Sequence, residues 1–286
     1  VVALRDIVIA GFLLGGILSL IAVGLSLQYG VARVLNVAHG EFIMVGAFMT
    51  FWLFESAGLD PLVSLVITGP FAFIVGYLLH STMFRRLMDI SPTIEIFEGK
   101  SMLASFGLLF VVQNLARMIW GSDIEGYDYL LTSVTAARIP VNRLVALGFV
   151  VVLAAVFYLF LTRTRLGKAI RASAQDSTTA ELMGVNINRV LAICFGFGLS
   201  LAAISGSLLS MVYPIRTSMG LGYTIIAMIV VVLGGLGSIT GSLIGGLLLG
   251  LISTIVTYYE PPLTMIAYYV IFVLLLLARP KGIMGK

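Results

Sequence analysis

Cysteine occurs once, at position 194, and histidine twice, so no disulfide framework and no cysteine-built metal site can come from these 286 residues. Charge is equally scarce. Only 10% of the residues are Asp, Glu, Lys or Arg, far too few to coat a soluble globule of this length. The familiar catalytic signatures are missing too. His39 and His80 do not form a His-Glu-x-x-His zinc helix, and no Gly-x-Ser-x-Gly elbow occurs. No Gly-x-x-x-x-Gly-Lys-[Ser/Thr] loop is present to cradle nucleotide phosphates. These absences argue against an enzyme and against a chain that hydrolyses ATP itself. A net charge of +4 is read as membrane topology rather than as nucleic-acid binding.

What fills the chain instead is apolar: 60% of the residues are hydrophobic and the mean hydropathy is +1.11. Apolar runs occupy 7–29, 35–54, 62–84, 101–120, 143–162, 190–213, 222–238, 241–259 and 263–279. Most match the ~20 residues that carry a helix across a ~30 Å hydrocarbon layer. Lipid offers the backbone no hydrogen-bond partner. The expected fold is therefore all-α, a single polytopic membrane domain over 1–286 with about 8–9 transmembrane helices. The first run follows Arg5 but exceeds the ~7–15 residues of a signal-peptide core, and is taken as a span.

Counting spans back from a cytoplasmic carboxyl end places 12 of the 17 basic residues inside, among them Arg33, Arg85, Arg86, Lys100, Arg163 to Arg171, Arg189, Arg279, Lys281 and Lys286. The acidic "GSDIEGYDY", Gly121 to Tyr129, falls outside with Arg5, Arg117, Arg138, Arg143 and Arg216. This obeys the positive-inside rule with the amino end outside. The glycine-rich Gly234 to Gly246 reads either as parts of two spans or as a re-entrant pair of half-helices.

Glycine is abundant, with 31 residues, and small residues let membrane helices approach closely. "NVAHGEFIMVGAF" and "GGLGSITGSLIGG" both interrupt apolar runs with glycine and polar atoms, as discontinuous helices of an internal repeat do. In the first, Asn36 suits the cap of a helix beginning at Val37, Gly40 suits a break, and Glu41 would sit in the first turn, where the helix dipole favours an anion. Two readings stay open there. Asn36, His39 and Glu41 mark the headgroup boundary, or they lie deeper and face a polar passage or an adjoining subunit. Gln28, Gln113 and Asn114 join them as polar candidates for a substrate path, with interhelical hydrogen bonding as the alternative.

The longest hydrophilic connection, Thr162 to Arg189, interleaves Leu166, Ala169, Ile170, Ala174, Ala180 and Met183 with charges at helical spacing. Ser177, Thr178 and Thr179 can cap a short helix that Gly184 stops. The segment reads as a helix-turn-helix built for a protein contact, or as a basic loop on anionic headgroups.

Four stretches taken together, "GLSLQYGVARVLNVAHGEFIMVGAF", "RTRLGKAIRASAQDSTTAELMGVN", "VVLGGLGSITGSLIGG" and "RPKGIMG", resemble the permeases of bacterial branched-chain amino acid ABC importers, and among them the first permease of the pair, with Asn-x-Ala-His-Gly in its second helix. The resemblance spans nearly the whole chain. It implies a multi-pass subunit of the bacterial inner membrane, a heterodimer with a homologous permease, two cytoplasmic ATPases that bind the ATP and Mg, and an external substrate-binding protein. It also implies a coupling segment at 162–189, with Arg165, Gly167, Arg171, Ala180, Glu181 and Gly184 toward the ATPase. The wider loop pattern of ABC importer permeases is incomplete here: "AELMG" keeps Ala-x-x-x-Gly, while the preceding Glu-Ala and the later Ile-x-Leu-Pro are missing. Aliphatic amino acids are the first expectation for cargo, with urea or short amides, small carboxylic acids, or an ion-coupled secondary transporter as alternatives.

Overall fold

The computed structural model describes residues 2–130, 132–134, 139–279 and 282–284, so Arg138, Lys281 and Lys286 lie outside the described residues. The helices in chain order are α1 (Val2–Ala32), α2 (His39–Ala57), α3 (Pro61–Leu79), α4 (Arg85–Asp89), α5 (Ile94–Trp120), α6 (Val141–Arg163), α7 (Arg165–Gln175), α8 (Ser177–Leu182), α9 (Ile187–Ser210), α10 (Gly220–Gly234), α11 (Ile239–Tyr259) and α12 (Thr264–Ala278). A π-turn, His80–Phe84, joins α3 to α4, and a two-residue antiparallel ladder pairs Ser133–Val134 with Ile139–Pro140. Each of the nine apolar runs forms a helix. Seven helical stretches are long and apolar enough to cross a membrane. Two of the nine fall short for different reasons: α2 carries His39, Glu41 and Glu55, and α10 has only 15 residues, about 22 Å of helix.

Local chemistry sets the ends of these helices. Asp60 accepts the Leu62 N–H, with Pro61 in the first helical position of α3, and Gly58 closes α2 in the left-handed conformation at φ 61. Between helices, small residues set the spacing. Helix α1 runs antiparallel along α11, with Gly11 against Leu251, Gly15 against Leu247 and Gly30 against Gly237. The Ser19 hydroxyl bonds the Leu243 carbonyl at 2.7 Å along the same seam. On the other side α9 runs antiparallel to α3, from Thr68 and Ser207 to Gly76 and Gly196. Helix α2 crosses α9 so closely that a Cβ on Gly46 would lie 2.6 Å from the Ala203 Cα.

These contacts form an inverted repeat. Exchanging α1, α2 and α3 with α9, α10 and α11 maps the α1–α11 seam onto the α9–α3 seam. Gly24 meets Gly198 and Gly40 meets Gly220 where the two halves touch. An irregular segment precedes the second helix in each half, residues 33–38 before α2 and 211–219 before α10. The counterpart of the Asn36 to Phe48 stretch is thus the approach to α10 and not Gly234 to Gly246. The latter holds the α10–α11 turn, after which α11 continues as a full-length helix, so the re-entrant reading fails for α11 and a short helix remains only in α10.

One end of the bundle gathers Arg33, Arg85, Arg189 and the α7–α8 hairpin, and the opposite end holds Asp60, Glu125 and the 211–219 segment. There Glu125 and Ile215 exchange backbone hydrogen bonds of 2.9 and 2.8 Å. Asn142 holds the Met211 carbonyl at 2.9 Å, and the Tyr127 hydroxyl, pushed up to about 12 by burial, contacts Ser210 at 3.0 Å. Helices α5 and α12 turn large apolar side chains such as Leu103, Met118 and Leu277 outward.

Candidate functional site

Arg33 ends α1 with φ 52, a left-handed reversal that a non-glycine residue adopts at some cost. The chain then runs back along α1 without helical structure until His39. Irregular backbone persists at membrane depth only where protein surrounds it, and Val34, Asn36 and Ala38 are fully buried. The level of the break follows from His39, whose Nε2 lies 3.1 Å from the Ile21 carbonyl. Ile21 is midway between Gly11, which meets Leu251 on α11, and Gly30, which meets Gly237 in the turn before α11, roughly 28 Å apart at ~1.5 Å per residue. Helix α2 therefore begins about half-way through the bundle. The headgroup-boundary placement fails: Asn36, His39 and Glu41 lie at mid-depth, enclosed by the chain itself.

A chain of amide hydrogen bonds fixes the break. The Gln28 amide donates to the Phe195 carbonyl on α9 at 3.3 Å, the Asn36 amide donates to Gln28 Oε1 at 3.1 Å, and Asn36 Oδ1 accepts the Ala38 N–H at 3.1 Å. Asn36 thus caps a turn one step before the helix, which starts at His39 rather than Val37. A carbonyl can only accept, so His39 carries its proton on Nε2 and its Nδ1 lone pair is left without a partner. Gly40 is not a left-handed residue here. It is required because its backbone abuts α10, where an added Cβ would lie 2.5 Å from Thr224 Oγ1.

Thr224 is the residue that sequence reasoning missed. Its hydroxyl accepts the Gly40 N–H at 2.8 Å and donates to the Val37 carbonyl at 3.0 Å, closing two of the backbone groups that the break leaves open. Ser105 on α5 does the same one step earlier, with 3.0 Å contacts to the Val37 N–H and the Leu35 carbonyl. Neither had a local signal, because each acts on a segment far away in sequence. Glu41 lies in the first turn of α2, fully buried, with both carboxylate oxygens free of hydrogen-bond partners. A Cβ on Gly220, the first residue of α10, would lie 2.5 Å from the Glu41 Cδ. The positive ends of two helices thus converge on one carboxylate, which offers unused acceptors to a cation or an ammonium group, while His39 turns toward α1.

Gln113 and Asn114 do not join this cluster. Asn114 is exposed on α5 and donates back to the Phe110 carbonyl of its own helix at 2.8 Å, and Gln113 is half-buried. A cavity of about 990 Å³ opens between α1, α10, α11 and α12, lined in part by Leu14, Leu18, Tyr223, Ile226 and Tyr268. It touches none of Gln28, Asn36, His39 and Glu41.

The 162–189 segment is the expected helix-turn-helix. Thr164 caps α7 through the Gly167 N–H. Gly167 sits so close to α6 that a Cβ would lie 2.6 Å from the Leu161 Cα, and Ile170 is buried beside it. Arg165 and Arg171 point to solvent. The cap of α8 is Asp176 rather than Ser177, Thr178 or Thr179. Its Oδ1 accepts the N–H groups of Thr178 and Thr179, and the Thr179 hydroxyl and N–H hold its carboxyl below the usual range. Gly184 stops the helix at φ 85, its N–H on the Glu181 carbonyl at 2.9 Å while Val185 reaches back to Ala180. Ala180 faces inward, whereas Glu181, Leu182 and Met183 are exposed, the last two above 80%.

The family model described as a branched-chain amino acid transport system permease component matches residues 7–278. The high-affinity branched-chain amino acid transport permease protein BraD of Pseudomonas aeruginosa is 31% identical over 96% of this chain and 94% of its own length. The corresponding protein LivH of Escherichia coli is 29% identical over the same shares. Among solved structures, PsaBC from Streptococcus pneumoniae in complex with Fab aligns over 94% of this chain at 13% identity with a TM-score of 0.45.

Proposed function

Because the chain belongs to the family of branched-chain amino acid transport permease components, we propose that it forms part of the translocation path of an ATP-driven importer for branched-chain or related aliphatic amino acids. It is a transport subunit and not an enzyme. The observation that carries the path assignment is the half-depth helix break, where Asn36 is bonded to Gln28, His39 bonds the Ile21 carbonyl and Glu41 stands with unused acceptors. A zwitterion crossing an apolar bundle needs a few such polar groups. Gln113 and Asn114 serve the same path from α5, on a face left open for a second permease.

The subunit sits in the bacterial inner membrane with its amino end outside and the α7–α8 hairpin in the cytoplasm, as the basic residues at that end favour. The partners are a homologous permease, two ATPases that use ATP and Mg, and an external binding protein that delivers the substrate. Arg165, Gly167, Arg171, Ala180, Glu181 and Gly184 hold and present the coupling hairpin, with Leu182 and Met183 as its apolar contact. Relatives that serve branched-chain amino acids set this cargo ahead of urea, short amides or small carboxylic acids. The test is leucine uptake into proteoliposomes holding the assembled complex. Uptake that needs internal ATP and the external binding protein is expected. Uptake driven by an ion gradient without ATP overturns the importer reading in favour of a secondary transporter.

A further inference from the structure

A second polar site lies at the hairpin end, apart from the break, where the π-turn after α3 faces the start of α9. A cavity of about 290 Å³ there is lined by Tyr77, His80, Ser81, Arg85, Asn188 and Arg189, together with the α9 cap Asn186, and no acidic side chain contributes. Among the described residues neither arginine has a carboxylate within ion-pair distance. The π-turn makes the arrangement possible. In an α-helix residues five apart point roughly 140° from each other at ~3.6 residues per turn. Here the Arg85 N–H bonds the His80 carbonyl, so the wider turn brings His80 and Arg85 to one side. His80 is 1% exposed, and its Nδ1 has no hydrogen-bond partner, an unmet polar atom in a wall that otherwise carries positive charge. The first turn of α9 adds the positive end of its dipole.

We propose that this cavity binds a phosphate-bearing anion, supplied by a phospholipid headgroup or by free phosphate, between the π-turn and the start of α9. Two arginine side chains, a buried imidazole and a helix N-terminus border one cavity with no acidic side chain in its lining, and with the ring proton of His80 on Nδ1 they make the donor set of an oxyanion site. The volume suits a tetrahedral oxyanion with a few waters and is at the lower edge of ~300–1,000 Å³ small-ligand pockets. A bound phosphate group would tie α3 to the helix that follows the α7–α8 hairpin.

The full chain, purified with its accompanying subunits, is placed in nanodiscs of phosphatidylcholine with or without phosphatidylglycerol. Retained phosphatidylglycerol is measured by mass spectrometry, and inorganic phosphate is titrated by calorimetry into the phosphatidylcholine sample. The expected result is selective retention of phosphatidylglycerol or saturable phosphate binding, reduced at least tenfold in Arg85→Gln/Arg189→Gln and unchanged in Arg86→Gln, whose side chain does not line the cavity. Retention without phosphate binding assigns the headgroup, and the converse assigns the free ion. Should the double variant fold poorly, Asn188→Asp, an exposed change that brings negative charge to the rim, must weaken binding likewise. Binding of neither probe, an equal loss in Arg86→Gln, or no loss in the double variant or in Asn188→Asp overturns the site.

Discussion

Replacing Thr224 by Val removes one hydroxyl and almost no volume, which isolates the hydrogen bonds that hold the break. The Gly40 N–H, 2.8 Å from Thr224 Oγ1, loses its partner, and the Val37 carbonyl, 3.0 Å away, loses its donor. Both groups are buried. An orphaned buried polar group costs ~1–3 kcal/mol, and polar contacts between membrane helices average nearer ~0.6 kcal/mol. Two orphaned groups therefore give about 1–6 kcal/mol, or roughly 2–24 °C in the melting midpoint at ~2–4 °C per kcal/mol. The chain supplies its own reporter. Cys194 is the single cysteine and is fully buried on α9, so a thiol-reactive dye in detergent reads it only as the bundle opens. Thr224→Ser keeps the hydroxyl and should melt close to the parent. A Thr224→Val midpoint within a degree of the parent would refute the claim that this hydroxyl closes the break.

Gly206→Val drives a branched side chain into the Ile43 backbone of α2 and should cost at least the ~1–3 kcal/mol of core overpacking by the same dye assay. Gly107→Ala meets nothing within 4 Å and should leave the midpoint unchanged or raise it slightly. Gly184→Val forces a β-branched residue to φ 85, about 1–2 kcal/mol of local strain. It should leave insertion and permease pairing intact while ATP hydrolysis separates from uptake in the same proteoliposomes. In a Cys194→Ser background, cysteines at Ser122 and Asp128 should react with an impermeant thiol reagent from outside, and one at Ser177 only after the membrane is opened. Outside labelling at Ser177 would reverse the orientation.

The nine apolar runs were legible because lipid dictates both length and composition, and each became a helix. The stop at Gly184 was legible too, since a left-handed residue after a short helix favours glycine. The Asp176 cap was missed because four adjacent residues, Asp176 to Thr179, are all of types that cap helices. The depth of the break was not readable at all. It is set by His39 meeting Ile21 and by Thr224 meeting Val37, the latter a contact between residues 187 apart, and no local pattern encodes that pairing. The internal repeat was sensed through its glycines but matched to the wrong stretch. Gly234 to Gly246 is rich in the same residue types for helix packing, while the counterpart runs from the 211–219 approach, which lacks glycine, into α10, where Gly220 meets Gly40.

The central claim, that the half-depth break belongs to the path, rests most directly on His39. His39→Leu keeps an apolar side chain of similar reach but removes Nε2 from the Ile21 carbonyl and, with it, the unpartnered Nδ1. Leucine uptake and ATP hydrolysis are measured together in proteoliposomes of the assembled complex. The predicted result is at least a tenfold loss of uptake per assembled complex with assembly and partner binding retained. Uptake equal to the parent, or loss of the folded complex, would contradict the path assignment and leave the break as a structural joint.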